Sequence, residues 1–366
     1  MHTVLVLGGY GFFGKRISEA LATDASVRLL VAGRDAHKAA VLAAQLQLPP
    51  GHAVALNTQD PELARRFHDL AVATVVNTAG PFQSQGYTVA LAAIQAGCNY
   101  IDLADGRDFV TGIASLDGPA RERGVTVISG ASTVPALSSA VVDRYLAQFV
   151  RLDTIEFGIS SGGRAPGLAT VRGVFSYGGK SFKEWREGVW RTVHGWGDLK
   201  WHHFPLPLGR RLLSSCDIPD LTLFPALYPT VRTVTFHAGF ASSMGHLVVS
   251  ALAALVRLRL FRSLVPFAAP LRRLSHWLEP LLSDQGGMFV CLTGEGAGGK
   301  LLHVNWNLLA GQNHGPHIPC GAAIALARKL ATGVPLPTGA MPCVGLLTVK
   351  EFLAPLRSLD IREVVE

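Results

Sequence analysis

Residues 3–14 read TVLVLGGYGFFG. Thr3 to Leu7 is a short apolar run, the pattern of a parallel strand buried on both faces. Gly9, Gly11 and Gly14 follow in G-x-G-x-x-G spacing, and Lys15 to Ala22 reads as the next helix. Gly9 permits a tight turn, Gly11 leaves room for a pyrophosphate, and Gly14 lets helix and strand approach closely. The order strand, glycine turn, helix is what makes the motif specific. The unpaired N–H groups of the helix start favour phosphate. Gly9, Gly11, Phe12, Phe13 and Gly14 are therefore the expected cradle of a dinucleotide.

The second apolar run, Val27 to Ala32, ends in Gly33-Arg34. An acid at this place would hold the adenosine ribose hydroxyls and repel a 2′-phosphate. A guanidinium pairs with that phosphate instead, and Lys38 lies one helical turn further on. Asp35 competes as a ribose ligand. The expected cofactor is NADP, held by Gly33, Arg34 and Lys38 at this end.

Working outward, Ala53–Leu56, Thr74–Asn77, Tyr100–Leu103 and Val125–Ile128 read as further strands, with helices over Asp60–His68 and Gly86–Gly97 between them. That alternation predicts a parallel sheet. Thr78, Ala79, Gly80, Pro81 and Phe82 follow the fourth strand, where the opposite wall of a cofactor crevice belongs. After Pro135 the pattern changes. A helix over Leu137–Phe149 leads into alternating strands at Thr154–Ser160, Thr230–Phe236, Met288–Leu292 and Leu301–Asn307, with glycine-rich turns among them. This is a second domain with a largely antiparallel sheet. The tract WGDLKWHHFPLPLGRR, 196–211, suits either a pocket wall or a partner surface. Pro319–Thr332 reads as a helix, and a last one is expected near Val349–Leu356.

The composition fits a well-buried globular chain: 366 residues, 49% hydrophobic and 16% charged, with mean hydropathy +0.30. The net charge of +7 is not gathered into a basic run, so a nucleic-acid partner is not expected. The five cysteines form no CxxC and suit free thiols in a reducing, cytoplasmic setting. The first apolar run passes directly into glycines, unlike a secretory leader. His202-His203 and the pair His314, His317 lack a third ligand at fixed spacing, so no metal is expected. Gly158 to Gly162 matches G-x-S-x-G by letter, but a loop follows where a nucleophile elbow needs a helix. From His246 to Leu274 an uncharged run, too short to span a bilayer, leads into Arg257, Arg259, Arg262, Arg272 and Arg273. It suits packed helices broken at Pro266, or an amphipathic surface over 247–271 that meets lipid or a second subunit. A homodimer is expected, and peripheral membrane or lipid contact through 247–271 is the alternative to the packed helices.

GGYGFFG together with NTAGPFQSQGYTVALAAIQAGCNYIDLADGRDF resembles the saccharopine dehydrogenase-like family of NAD(P)-dependent oxidoreductases. SGASTVPALSSAV, GPHIPCGAAIALARKLATG and GAMPCVGLLTVKEF extend the likeness, while roughly 185–282 carries no family signal. The resemblance implies an α/β chain with a split Rossmann domain, 1–135 and 320–366, and an inserted α+β domain, 136–319, for substrate and dimerisation. It implies an active site in the cleft, with Asn77–Phe82 skirting the nicotinamide. The family commonly has a Gly-Glu pair after its Tyr-x-Asp strand. Here Tyr100-Ile101-Asp102-Leu103 leads into Ala104-Asp105-Gly106, so Asp105 is the available substitute. Arg107, Arg164 and Arg172 are candidates for a substrate carboxylate.

Hydride transfer needs mostly positioning and one proton-handling group. Asp105, His314 and His317 are the candidates, the histidines because imidazole titrates near neutrality. The expected function is an NADP-dependent oxidoreductase acting on a small molecule, either an amino-acid-derived imine or an apolar, lipid-like substrate. The alternative is a non-catalytic NADP sensor or assembly protein at a membrane surface.

Overall fold

The computed structural model describes residues 1–83, 85–163, 167–278 and 282–366. They divide into two compact units, Met1–Leu137 with His317–Leu356, and Ser138–Pro316 with Arg357–Glu366.

The first unit is a parallel sheet of β1 (His2–Leu7), β2 (Val27–Gly33), β3 (Ala53–Ala55), β4 (Thr74–Asn77), β5 (Asn99–Asp102), β6 (Thr126–Ser129) and β15 (Gly339–Pro342). The spatial order is β15-β6-β5-β4-β1-β2-β3. This is the doubly wound arrangement with its switch point between β1 and β4. Val4, Leu5, Val6 and Leu7 are buried on both faces, as their unbroken apolar run predicts. The returning helix Gly321–Ala331 is built from small residues, and Ala322, Ala323 and Ala327 are fully buried. It packs against β1, β4 and the helix Phe12–Ala22. At Gly321 even a methyl group would press on the Phe352 carbonyl.

The second unit carries β7 (Phe149–Ser160), β8 (Ser181–Arg186), β9 (Val189–His194), β10 (Lys200–His203), β11 (Arg210–Ser215), β12 (Thr233–Gly239), β13 (Gly286–Gly296), β14 (Leu301–Ala310) and β16 (Ile361–Val365). The main path is β10-β11-β12-β7-β13-β14-β16. All its neighbours pair antiparallel except β12 and β7. Register sets Phe236, Phe157, Val290 and Trp306 side by side across four strands. This apolar face is covered by the helices Ser138–Leu146 and Asp220–Leu227, the latter placing Phe224 on Phe157 with ring centroids 5.6 Å apart.

Two expectations differ from this arrangement. The resemblance keeps the tail with the first unit to residue 366, but β16 pairs with β14 from Ala310↔Ile361 to Trp306↔Val365. The Trp306 indole also donates to Glu363 Oε1 at 2.8 Å. Such long-range pairing leaves no local trace in the sequence. Lys183–Trp190 and the Trp-His-Pro tract, to which the sequence assigns no strand, hold the β8–β9 and β10–β11 hairpins.

Candidate cofactor and catalytic site

Gly8 turns the chain out of β1 with φ +79°, and the N–H groups of Gly8 and Gly9 donate to the Ala32 carbonyl at 2.8 and 3.0 Å. Gly11 then begins the helix Phe12–Ala22 with no side chain capping its amino end and no acid in its first turn. A Cβ at Gly14 would collide with the Gly8 carbonyl and meet Thr78 Oγ1 at 2.7 Å. A Cβ at Gly11 would meet only the Gly8 carbonyl closely, at 2.9 Å. Gly14 is therefore fixed by internal packing, and Gly11 borders the open side of the loop. An uncapped helix start beside a cradle without side chains is what a pyrophosphate needs.

At the end of β2, Asp35 is already engaged. Its carboxylate accepts the Lys38 N–H at 3.1 Å as the N-cap of the helix Ala36–Gln45, and the Lys38 ammonium lies 3.2 Å away. These contacts, the N–H first, hold its pKa below the usual value. Asp35 therefore holds the helix start and Lys38 answers Asp35. Arg34 is exposed, and among the described residues no carboxylate pairs with it. Gly33 has a different reason for being glycine. The Tyr10 ring fills the place of its side chain, and the Tyr10 hydroxyl accepts the Asp35 N–H at 2.8 Å.

The Thr78–Phe82 turn is tied to β1 through Thr78, whose N–H and hydroxyl both donate to the Leu7 carbonyl, at 2.8 and 2.9 Å. The Gln85 amide braces it by donating to the carbonyls of Ala79 and Pro81 at 2.9 and 2.8 Å. Phe82 is 5% exposed and packs on Phe109, with centroids 5.3 Å apart; its ring belongs to the packing beneath the turn. Gln83 reaches from this turn to Asp105, its amide donating to Oδ1 at 2.8 Å. Burial raises the Asp105 pKa, and the Gln83 bond only partly offsets that.

Beneath these loops lies a buried polar network. Asp102 Oδ1 accepts from the N–H groups of Ala104 and Gly130, both at 2.9 Å, and from the Ser129 hydroxyl at 3.0 Å. Asn77 donates to the Tyr100 hydroxyl at 3.1 Å and accepts the Ala79 N–H at 3.0 Å. Complete burial still pushes the Asp102 pKa to about 6. The network joins the ends of β4, β5 and β6, so the positions of Asp105 and of the Thr78–Phe82 turn share one support.

The histidine pair is divided. His317 opens the returning segment of the first unit, and His314 belongs to the second, where its Nδ1 accepts the Asp360 N–H at 3.0 Å. Arg107 starts a short helix directly after Asp105, Arg172 is exposed, and Arg164 lies outside the described residues.

Residues 4–128 match the sequence model of the saccharopine dehydrogenase NADP binding domain. That match covers about a third of the chain and falls within the first unit. Its fold is similar to apo histidine-tagged saccharopine dehydrogenase (L-Glu forming) from Saccharomyces cerevisiae, with TM-score 0.70 and 15% identity over 100% of both chains. It is also similar to an amine dehydrogenase from Mycobacterium smegmatis, with TM-score 0.50 and 12% identity over 96% of this chain and 95% of that one. No curated protein sequence matches. The domain is an NADP-binding domain, and the bare helix start, the glycine cradle and the unpaired Arg34 fit that cofactor.

Tyr10, Gln83 and Gln85 are not singled out by the sequence as site residues, and the hydrogen bonding that joins Asn77 to Tyr100 and anchors Asp102 is not read from it either. Tyr10 sits inside GGYG, and the two glutamines follow Gly80-Pro81 in PFQSQG. Polar side chains that close a glycine-rich turn are the signal that could have found them.

Proposed function

We propose that this chain is an NADP-dependent oxidoreductase that moves hydride to or from an amino-acid-derived imine or an apolar, lipid-like carbonyl or carbon–carbon double bond. Asp105 carries the reading. It stands after a parallel strand at the crevice end of a nucleotide sheet, it is aimed by Gln83, and burial lets it keep a proton to higher pH than a free carboxyl does. NADPH supplies the hydride equivalent. The open N–H groups near Gly11 would donate to the pyrophosphate, Thr78 and Ala79 would border it, and Arg34 would pair with the 2′-phosphate. Asp105 gives or takes the substrate proton, and His314 and His317 compete for that role.

The second reading is a non-catalytic NADP sensor or assembly protein at a membrane surface. It is favoured by Ala104-Asp105 standing where the family commonly has Gly-Glu. NADPH deuterated on either face of the nicotinamide, offered with carbonyl, imine and enoyl substrates, separates the two. Deuterium is expected in one product. Asp105→Asn should lose turnover while binding NADP normally, and Arg34→Ala should weaken NADP roughly tenfold to a hundredfold, from the ~1.5–3 kcal/mol of a charged contact, leaving NAD unchanged. Tight NADPH binding with no transfer to any class would select the sensor. Full activity in Asp105→Asn would pass the proton to His314 or His317, tested by a Gln at each.

A further inference from the structure

We propose that the outer surface of the helical excursion Ser243–Leu278 docks on an anionic lipid bilayer. The surface lies wholly in the second unit and does not depend on the hydride chemistry.

The helix Ser243–Arg257 is capped by Ser242, whose hydroxyl accepts the Gly245 N–H at 3.1 Å. Its inner face buries His246, Val249, Ala253 and Val256. That face is tightly seated. His246 Nε2 meets the Ser214 hydroxyl at 2.7 Å, and a Cβ on Gly179 would strike the Ala253 carbonyl and Val256. The opposite face carries Met244, Leu247, Val248 and, past the end, Leu258, and it is exposed, with Met244 at 72% and Leu258 at 67%. From Ser243 to Val256 there is no charged residue. A helix apolar all round needs apolar cover on both sides, and its own unit covers one.

The residues beyond this helix fix the kind of cover. Arg257, Arg259 and Arg262 alternate with exposed Leu258, Leu260 and Phe261. The helix Ala268–Leu278 then exposes Arg273, Leu274 and Trp277, the last at 84%. No Asp or Glu occurs anywhere from Leu221 to Leu278. Exposed apolar side chains, arginines and an exposed indole, gathered within one stretch of 35 residues without an acid, match the layered chemistry of a bilayer interface. A second copy fits poorly, because a two-fold contact apposes a patch with itself and these arginines would meet arginines with no acid among them. The helix is roughly 22 Å long, well short of a hydrocarbon core of about 30 Å, and no described helix is long and apolar enough to cross a membrane. The surface lies on a bilayer rather than through it.

The whole chain is tested by flotation with phosphatidylcholine vesicles, alone and with about 30% phosphatidylserine. Binding is expected with the anionic vesicles, weak on neutral ones. Arg257→Ser/Arg259→Ser/Arg262→Ser should reduce it roughly a hundredfold, as three arginines near a charged surface contribute. Leu258→Ser/Phe261→Ser should reduce it as well. Arg65→Ser/Arg123→Ser/Arg357→Ser, equal in charge but elsewhere on the chain, should leave it unchanged. The proposal falls if neither vesicle binds, if the control set loses as much as the triple variant, or if Leu247→Ser/Val248→Ser dissolves a dimer while vesicles are ignored.

Discussion

The helix Phe12–Ala22 buries Ile17, Ser18 and Leu21 and leaves its amino end uncapped. The helix Ser243–Arg257 has its cap and leaves its outer face apolar. The first unmet need is a handful of N–H groups with fixed directions, which an anion of suitable shape meets better than water does. The second is spread over many side chains, has no direction, and scales with the area covered. One atom in the wrong place should therefore destroy the first function, whereas the second should erode with each side chain removed.

Gly11→Val is the sharpest test of that contrast. Its Cβ has one close neighbour, the Gly8 carbonyl at 2.9 Å, on the open side of the loop, so the turn must shift locally while the core of the unit persists. NADP should bind at least roughly a hundredfold more weakly, the loss of two charge-assisted hydrogen bonds. Gly14→Val should instead unfold the unit, since that position is closed by Gly8 and Thr78. Cofactor titration beside circular dichroism reads both. Undiminished binding by folded Gly11→Val would place the phosphates elsewhere.

One buried group in each unit answers acid in the sense opposite to the other. In the first, burial raises Asp102 to about 6, so its contribution is complete below the ordinary carboxylate value and is lost as pH climbs through about 6. In the second, burial lowers His246 to about 4, so its contribution is complete above the ordinary imidazole value and is lost as pH falls through about 4. Each is worth up to about 3 kcal/mol. Between about pH 6.5 and about pH 4, acidification should stabilise the first unit through Asp102 and destabilise the second through His246. Hydrogen exchange resolved by segment would show protection moving in opposite directions. Asp102→Asn should flatten the response of the first unit only. Parallel movement of both units would remove these two groups as its cause.

Legibility in the sequence depends on how local each cause is. Gly9, Gly11 and Gly14 are backbone requirements, so their spacing alone announces the nucleotide turn. Asp35 before AHKAAVLAAQ has the form of an N-cap, yet reading it as a ribose ligand is equally open until its carboxylate is placed. Gly33 reads as space for the cofactor, and the space belongs to Tyr10, which is distant in sequence. The β8–β9 hairpin stays hidden because Lys183, Val189, Trp190 and Arg191 are exposed, so no in–out alternation marks it. Asp102 is visible in the sequence as part of a family pattern; its three donors come from the ends of two strands, an assembly only the fold creates.

The smallest expected effect bears most directly on the outer helix. Val249 is 7% exposed and Leu247 is 43% exposed, two residues apart on one helix. Val249→Ala should lower unfolding stability by about 2 kcal/mol through lost burial and an unfilled space. Leu247→Ser removes more apolar surface and adds a hydroxyl, yet should cost under about 1 kcal/mol, most of it helix propensity. Denaturant midpoints of the two variants at one pH make the comparison. Equal losses would mean that Leu247 is held by its own unit and the outer face has no unmet need. A near-zero loss at Leu247 would mean that its side chain contributes little to the isolated fold, so a role for it must be sought in what covers that face.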